Sequence, residues 1–206
     1  MSKQYDDAYF RRWYRGARAT PPAELARKVA MAVAIAEFYL QRPIRSVLDV
    51  GCGEAAWRAP LLKLRPRVRY QGVDSSEYAV ARYGRSRNIA LAGFGQLEQL
   101  RFGEPADLLV CSDVIHYVPT AELRRGLSGF EELCDGVAFL ELYARGDDIR
   151  GDRAGFLSRP AASYRRWFAE AGFTACGSHA YLSPNLRANA VALEILETPT
   201  SRGIHR

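Results

Sequence analysis

At 206 residues, 48% hydrophobic and 25% charged, the chain suits one domain with a core large enough to be stable unaided. No run approaches the roughly 18 apolar residues of a membrane span, and residues 1–10 are polar and acidic rather than basic then apolar, so a cytoplasmic protein without membrane attachment is expected. A formal charge of +6 and a pI near 9.3 would suit a polyanionic partner, but arginines are scattered and Lys3, Lys28 and Lys63 are the only lysines, so nucleic acid is a weaker expectation than a small molecule.

The four cysteines, Cys52, Cys111, Cys134 and Cys176, form no CxxC pair, so buried free thiols are expected and neither a metal site nor a disulfide framework. In chain order, aromatic residues 5–14 predict a short helix. Leu25, Val29, Val33, Ala36 and Leu40 recur at helical spacing after Thr20-Pro21-Pro22, giving a helix over 22–40. From residue 45 short apolar runs alternate with helical stretches, the pattern of a parallel sheet covered on both faces. Strands are predicted at 46–50, 69–73, 89–92, 108–111 and 137–142, with helices near 55–64, 77–87, 120–133 and 161–171. Segments 174–182 and 190–196 read as two closing strands around a Ser183-Pro184-Asn185 turn. Residues 1–42 thus form an N-terminal helical cap, 43–197 the core, and 198–206 a tail of disorder-like composition.

Val47-Leu48-Asp49-Val50-Gly51-Cys52-Gly53 is a buried strand running into a glycine turn before a helix. Glycines let a ligand approach the backbone where a Cβ would collide, and a helix start offers unpaired N–H donors. Gly51-x-Gly53-x-x-Ala56 also satisfies the dinucleotide fingerprint, with an acid about 20 residues on. Asp49 separates the two readings. The run resembles the first motif of class I S-adenosylmethionine-dependent methyltransferases of the small-molecule type, hydrophobic-hydrophobic-Asp-hydrophobic-Gly-x-Gly. Asp107-Leu108-Leu109-Val110-Cys111-Ser112-Asp113-Val114-Ile115-His116-Tyr117-Val118-Pro119 is similar to the family's signature after the fourth strand.

The resemblance implies an α/β Rossmann-like fold, a seven-stranded, mostly parallel sheet of order 3-2-1-4-5-7-6 closed by an antiparallel pair. It also implies S-adenosyl-L-methionine as methyl donor, S-adenosyl-L-homocysteine as product, and no metal. Asp49, Gly51, Cys52 and Gly53 are then the loop at the methionine end, and Asp74 with Ser75 the adenosine end, Ser75 or Ser76 also capping the next helix. The third strand departs from the family's Gly-Asp, so either Phe94 or Gln96 meets adenine; Gln96, followed by Leu97, is the preferred match. Cys111 and Ser112 are expected beside the sulfonium. His116 resembles the histidine that deprotonates the acceptor hydroxyl in plant-type O-methyltransferases and is the candidate general base.

Acceptor contacts are expected from Trp13, Tyr14, Asp113, Tyr117 and Tyr143. Tyr5, Tyr9 and Phe10 extend the first two of these into a lid, or else into a helix simply packed on the sheet. In the insert 143–160, Arg145, Arg150, Arg153 and Arg159 either hold an anionic acceptor or are solvated; Tyr164 and Trp167 reach pocket or core. Three rivals remain open: an RNA methyltransferase, a non-catalytic binding protein that kept the fold, and a nicotinamide oxidoreductase. Composition leaves oligomeric state undetermined.

Overall fold

The computed structural model describes residues 5–15, 19–149 and 151–196. The expected tail 198–206, residues 1–4 and 16–18 of the expected cap, and Arg150 lie outside them. In chain order come α1 (Asp7–Tyr14), α2 (Pro22–Leu40), β1 (Ser46–Val50), α3 (Arg58–Leu64), β2 (Arg69–Asp74), α4 (Glu77–Arg87) and β3 (Ile89–Leu91). They are followed by β4 (Ala106–Ser112), α5 (Thr120–Leu127), α6 (Phe130–Leu133), β5 (Cys134–Glu141), α7 (Ala161–Glu170), β6 (Thr174–Gly177) and β7 (Ala180–Leu182). The sheet order is β3-β2-β1-β4-β5-β7-β6, parallel except where β7 runs antiparallel to both β5 and β6.

Every residue of β1 is buried, as a parallel strand with both faces covered requires. Leu48 and Val50 pack into one core with Leu109, Cys111, Phe130 and Phe168. Val47 packs into the other with Val110, Phe139 and the α2 residues Val29, Val33 and Ala36. Pairing of Val47 with Tyr70 on one side and Leu108 on the other puts the carboxyl ends of β1, β2 and β4 together. Strand order reverses between β1 and β4, which is where open α/β sheets bind ligands.

Several expected boundaries shift for local reasons. The helix expected from residue 55 starts only at Arg58, because Gly53 and Ala55 both adopt positive φ, +53° and +58°, and keep the chain in turns. The helix expected over 120–133 breaks after Leu127, where Gly129 passes against the Leu97 carbonyl. The closing pair lies wholly within 174–182, turning at Ser178 and His179, both with positive φ. Residues 190–196, expected as a strand, instead hold a 3-10 turn over Ala192–Glu194. Cys52, Cys111 and Cys134 are free and buried, whereas Cys176 is only partly covered.

Gly126 on α5 abuts Phe94 so closely that an added Cβ would collide with both the Phe94 carbonyl and its ring. Gly126→Ala should therefore lower the unfolding free energy by about 1–3 kcal/mol, read from urea titrations. An unchanged midpoint would show that this packing yields freely.

Candidate active site

Two cavities open at the carboxyl ends of the central strands. The first, about 460 Å³, is lined by Val50, Gly51, Gly53, Val73, Asp74, Ser75, Phe94 and Leu97 and roofed by Tyr5, Tyr9, Phe10 and Tyr14. The second, about 610 Å³, is lined among others by Trp13, Asp49, Cys52, Trp57, Ser112, Glu141 and Tyr143. Tyr9, Tyr14, Gly51, Asp113 and Tyr117 border both, so the chambers meet over the β1 loop.

That loop is shaped for close approach. Gly51 has φ +70°, and a Cβ there would strike the Val114 side chain; Gly53 has φ +53° and would meet Phe10 at 2.9 Å. The Gly51 and Cys52 amides both donate to the Val73 carbonyl, at 2.7 and 3.2 Å, tying the loop to β2. Asp74 accepts from the amides of Gly53 at 2.6 Å and Ser76 at 2.8 Å, and Ser76 Oγ caps α4 by accepting from the Ala79 amide. Burial nevertheless raises the Asp74 pKa above the ordinary carboxylate value, outweighing the lowering by those backbone donors.

Asp49 is 2% exposed, and its Oδ2 accepts from Tyr70 Oη at 2.7 Å. Burial pushes its pKa up to about 7; Tyr70 opposes the shift and the neighbouring Asp74 adds to it. These adjacent strands thus end in two buried acids held by neutral donors. Such a pair is matched by a ligand bringing hydroxyls to one and a cation to the other.

Helix α1 covers the loop and is fastened at three points. Asp7 accepts from Tyr78 Oη, Ser76 Oγ donates to the Tyr5 carbonyl at 2.6 Å, and Arg15 Nε donates to Glu54 at 3.3 Å. Phe10 stacks on Tyr78, ring centres 5.8 Å apart, and Tyr5 meets Tyr9 edge to face at 5.0 Å. The lid alternative for the aromatic stripe is thus the one the geometry fits, since its rings roof the first chamber.

Three sequence expectations are corrected by placement. Gln96 is exposed, and its amide oxygen accepts from its own Gly93 amide at 2.7 Å, closing the 3-10 turn Phe94–Glu98 rather than facing the cavity. Phe94 and Leu97 supply the wall there instead. Cys111 points into the core on the face opposite Ser112, which lines the cavity together with Asp113, a residue past the strand end with φ +63°. His116 is 0% exposed and lines neither chamber. Its Nδ1 accepts from the Tyr143 amide at 3.3 Å, so the ring proton sits on Nε2, 3.3 Å from Asp113 Oδ1.

The three described arginines of the insert, Arg145, Arg153 and Arg159, also look elsewhere. Arg159 donates to the Val118 carbonyl at 2.7 Å and to Thr120, Arg145 to Ser158, and Arg153 pairs with Asp148. None of the three lines either chamber, so they do not form an anion site. Tyr164 and Trp167 belong to the core. Unforeseen from the sequence are Lys28 and Glu141, which pair at 2.7 Å inside the second chamber while Ser112 Oγ donates to the same carboxylate. Glu141 ends β5, beside β4, and its place at a strand end was the signal that could have found it.

Residues 48–136 match a family model described as a methyltransferase domain. Those residues are thus similar to a methyltransferase domain, and the chain has the class I, Rossmann-like fold of solved methyltransferases. The chain is similar in fold to a sugar N-methyltransferase from a Streptoalloteichus species, with 17% identity and a TM-score of 0.64 over 89% of this chain and 94% of that one. An S-adenosylmethionine-bound amino pentose methyltransferase from Micromonospora echinaspora gives 17% and 0.61 over 89% and 100%. The magnesium protoporphyrin IX methyltransferase of Synechocystis, with bound S-adenosylhomocysteine, gives 21% and 0.57 over 86% and 92%. No curated protein matches the chain by sequence.

Because the folded Asp49 pKa lies near 7 and its unfolded value near 3.8, the folded ligand-free domain holds a proton that the unfolded chain releases. Its contribution to stability is complete below about pH 4 and is lost as pH rises through about 7. Urea titrations across that window should show the decline, and Asp49→Asn should flatten it; a wild-type slope in the variant would assign the proton elsewhere.

Proposed function

We propose that this chain transfers a methyl group from S-adenosylmethionine to a small polar molecule by in-line displacement. The observation carrying this reading is the pair of joined chambers with Asp74 in one and Asp49 in the other, meeting over a loop whose glycines leave no Cβ in the way. In this reading Asp74 and Ser75 take the ribose hydroxyls, Phe94 and Leu97 pack on adenine, and Asp49 takes the cofactor's ammonium beside Gly51, Cys52 and Gly53. The bound cofactor would supply a methyl carbon activated by positive sulfur.

The chain's own task is then to align and desolvate two reactants. The α1 rings exclude water above the loop. Ser112, Asp113, Tyr117 and Tyr143 border the space beyond it, together with Trp13 and Tyr14 from the cap. His116, buried behind Tyr117 and Tyr143 with ring centres 4.2 and 5.6 Å away, acts as a strut for those residues rather than as a base. A cytoplasmic setting and independence from nucleic acid belong to the same reading.

Calorimetric titration with S-adenosylhomocysteine tests it. Binding is expected, weakened at least about tenfold in Asp74→Ala through loss of charge-assisted hydrogen bonds; absence of binding at near-millimolar ligand would overturn it. His116→Gln should keep turnover within about tenfold of the parent, whereas loss of a general base costs about 10²–10⁴-fold. A folded variant with a loss in that range would return His116 to the chemistry.

A further inference from the structure

Among the described residues, the charged side chains lining the first chamber are Asp74, Asp113 and Glu122. Asp74 ends β2 and has its place in the cofactor reading, and Asp113 stands where the two chambers meet. Glu122 comes from a different element, the first turn of α5, and has no task yet. It belongs to the same wall as Ala92, Phe94 and Leu97, which is otherwise apolar.

The direction of Glu122 follows from its helix. Gly126, four residues on and so on the same helix face, abuts the carbonyl and ring of Phe94, which holds α5 tight against the 3-10 turn Phe94–Glu98. A glutamate at the third helical position ordinarily reaches back to the amide of the N-cap residue, but the N-cap here is Pro119, which has no N–H. The carboxylate reaches across to the turn instead. Its Oε1 accepts from the Gly95 amide at 3.4 Å and lies 3.5 Å from the point that a Cβ on Gly93 would occupy. Gly93 itself lines the chamber, so the missing side chain leaves the carboxylate a path into it. A 3.4 Å hydrogen bond is a long one, and a carboxylate can accept about four. Among the described residues Glu122 has no other hydrogen bond and no ion pair, although the Arg125 guanidinium lies beside Gly95. The amide oxygen of Gln96, by contrast, is already used by Gly93.

We propose that Glu122 is a cofactor-binding residue whose carboxylate accepts a hydrogen bond from the exocyclic amino group of adenine, and so selects a 6-amino purine. This rests on the methyl-transfer reading above, which sets the base against Phe94 and Leu97 and its ribose at Asp74. In the nucleoside the only N–H hydrogens of adenine are those of the amino group, and of the chamber's carboxylates Glu122 is the one beside the wall that packs on the base. An ionised carboxylate only accepts. A 6-oxo purine would turn a carbonyl oxygen toward it, acceptor against acceptor, and a purine with hydrogen at that carbon would leave the half-buried acid without a partner from the ligand. The nucleoside is then held at both ends by acids from separate elements, Asp74 of β2 at the ribose and Glu122 of α5 at the base.

The test is calorimetric titration of the intact protein with S-adenosylhomocysteine, S-inosylhomocysteine and the 6-deamino analogue, whose purine carries hydrogen in place of the amino group. The parent should bind S-adenosylhomocysteine at least about tenfold tighter than either analogue. Glu122→Ala should weaken S-adenosylhomocysteine about five- to tenfold and bring it within about threefold of the 6-deamino analogue, whose own affinity changes by no more than about twofold. Glu122→Gln keeps an acceptor oxygen and adds a donor, so it should hold S-adenosylhomocysteine within about threefold and tighten S-inosylhomocysteine; it carries the test by itself if the alanine variant does not fold. Asp74→Ala, at the other end of the nucleoside, should weaken all three ligands alike. Equal binding of the three by the parent, or a preference for the amino purine that is undiminished in a folded Glu122 variant, overturns the assignment while leaving the cofactor site standing. Failure of the parent to bind S-adenosylhomocysteine removes the methyl-transfer reading beneath it, and the assignment with it.

Discussion

The domain is organised around two carboxylates that adjacent parallel strands carry to the same end of the sheet and bury there with neutral partners only. Asp49 has Tyr70 and Asp74 has backbone amides. A buried acid without a cation is costly and responds by holding its proton, which explains why Asp49 is pushed to about 7. Packing alone would not retain such a pair, since apolar residues at the ends of β1 and β2 would be cheaper to bury. The cost is offset when a ligand supplies the missing donors, and the remaining features of the site follow from admitting that ligand.

The glycine turn is one of them. Gly51 and Gly53 adopt positive φ where side chains would strike Val114 and Phe10, so the loop stays thin between the two chambers. Helix α1 is another: too short to be stable alone, it is fastened to α4 and the β1 loop through Asp7, Arg15 and the Tyr5 carbonyl. Those ties place its rings over the first chamber and its Trp13 over the second. One helix therefore borders both spaces with its aromatic residues.

The sheet was legible because burial on both faces leaves a simple mark. Continuous apolar runs such as those of β1 and β4, alternating with helical periods, fixed the order of elements and, with the resemblance, the strand order. The place of Asp49 and Asp74 at this end of the sheet was legible for a related reason, since a polar residue at the end of an apolar strand has few structural uses, and the Gly51–Gly53 turn was legible from its glycines. What failed depended on side-chain direction. Gln96 occupied the expected position in the sequence but turns back onto its own Gly93 amide, and His116, read as a base, is rotated into the core by the 3-10 turn Ile115–Tyr117. Cys111 and Ser112 differ by one step of the pleat and so face opposite ways. Lys28 was invisible because its partner Glu141 lies more than a hundred positions away, and no local pattern marks that convergence.

The most direct measurement is a carbon-13 NMR titration of the Asp49 side-chain carboxyl, with Asp49→Asn to assign the signal, in the free domain and with saturating S-adenosylhomocysteine. The free carboxyl should titrate near pH 7 and drop into or below the ordinary aspartate range, about 4, once the ligand's ammonium lies beside it. A midpoint that stays near 7 with the ligand bound would contradict the account, because Asp49 would then not be the partner the cofactor is held by.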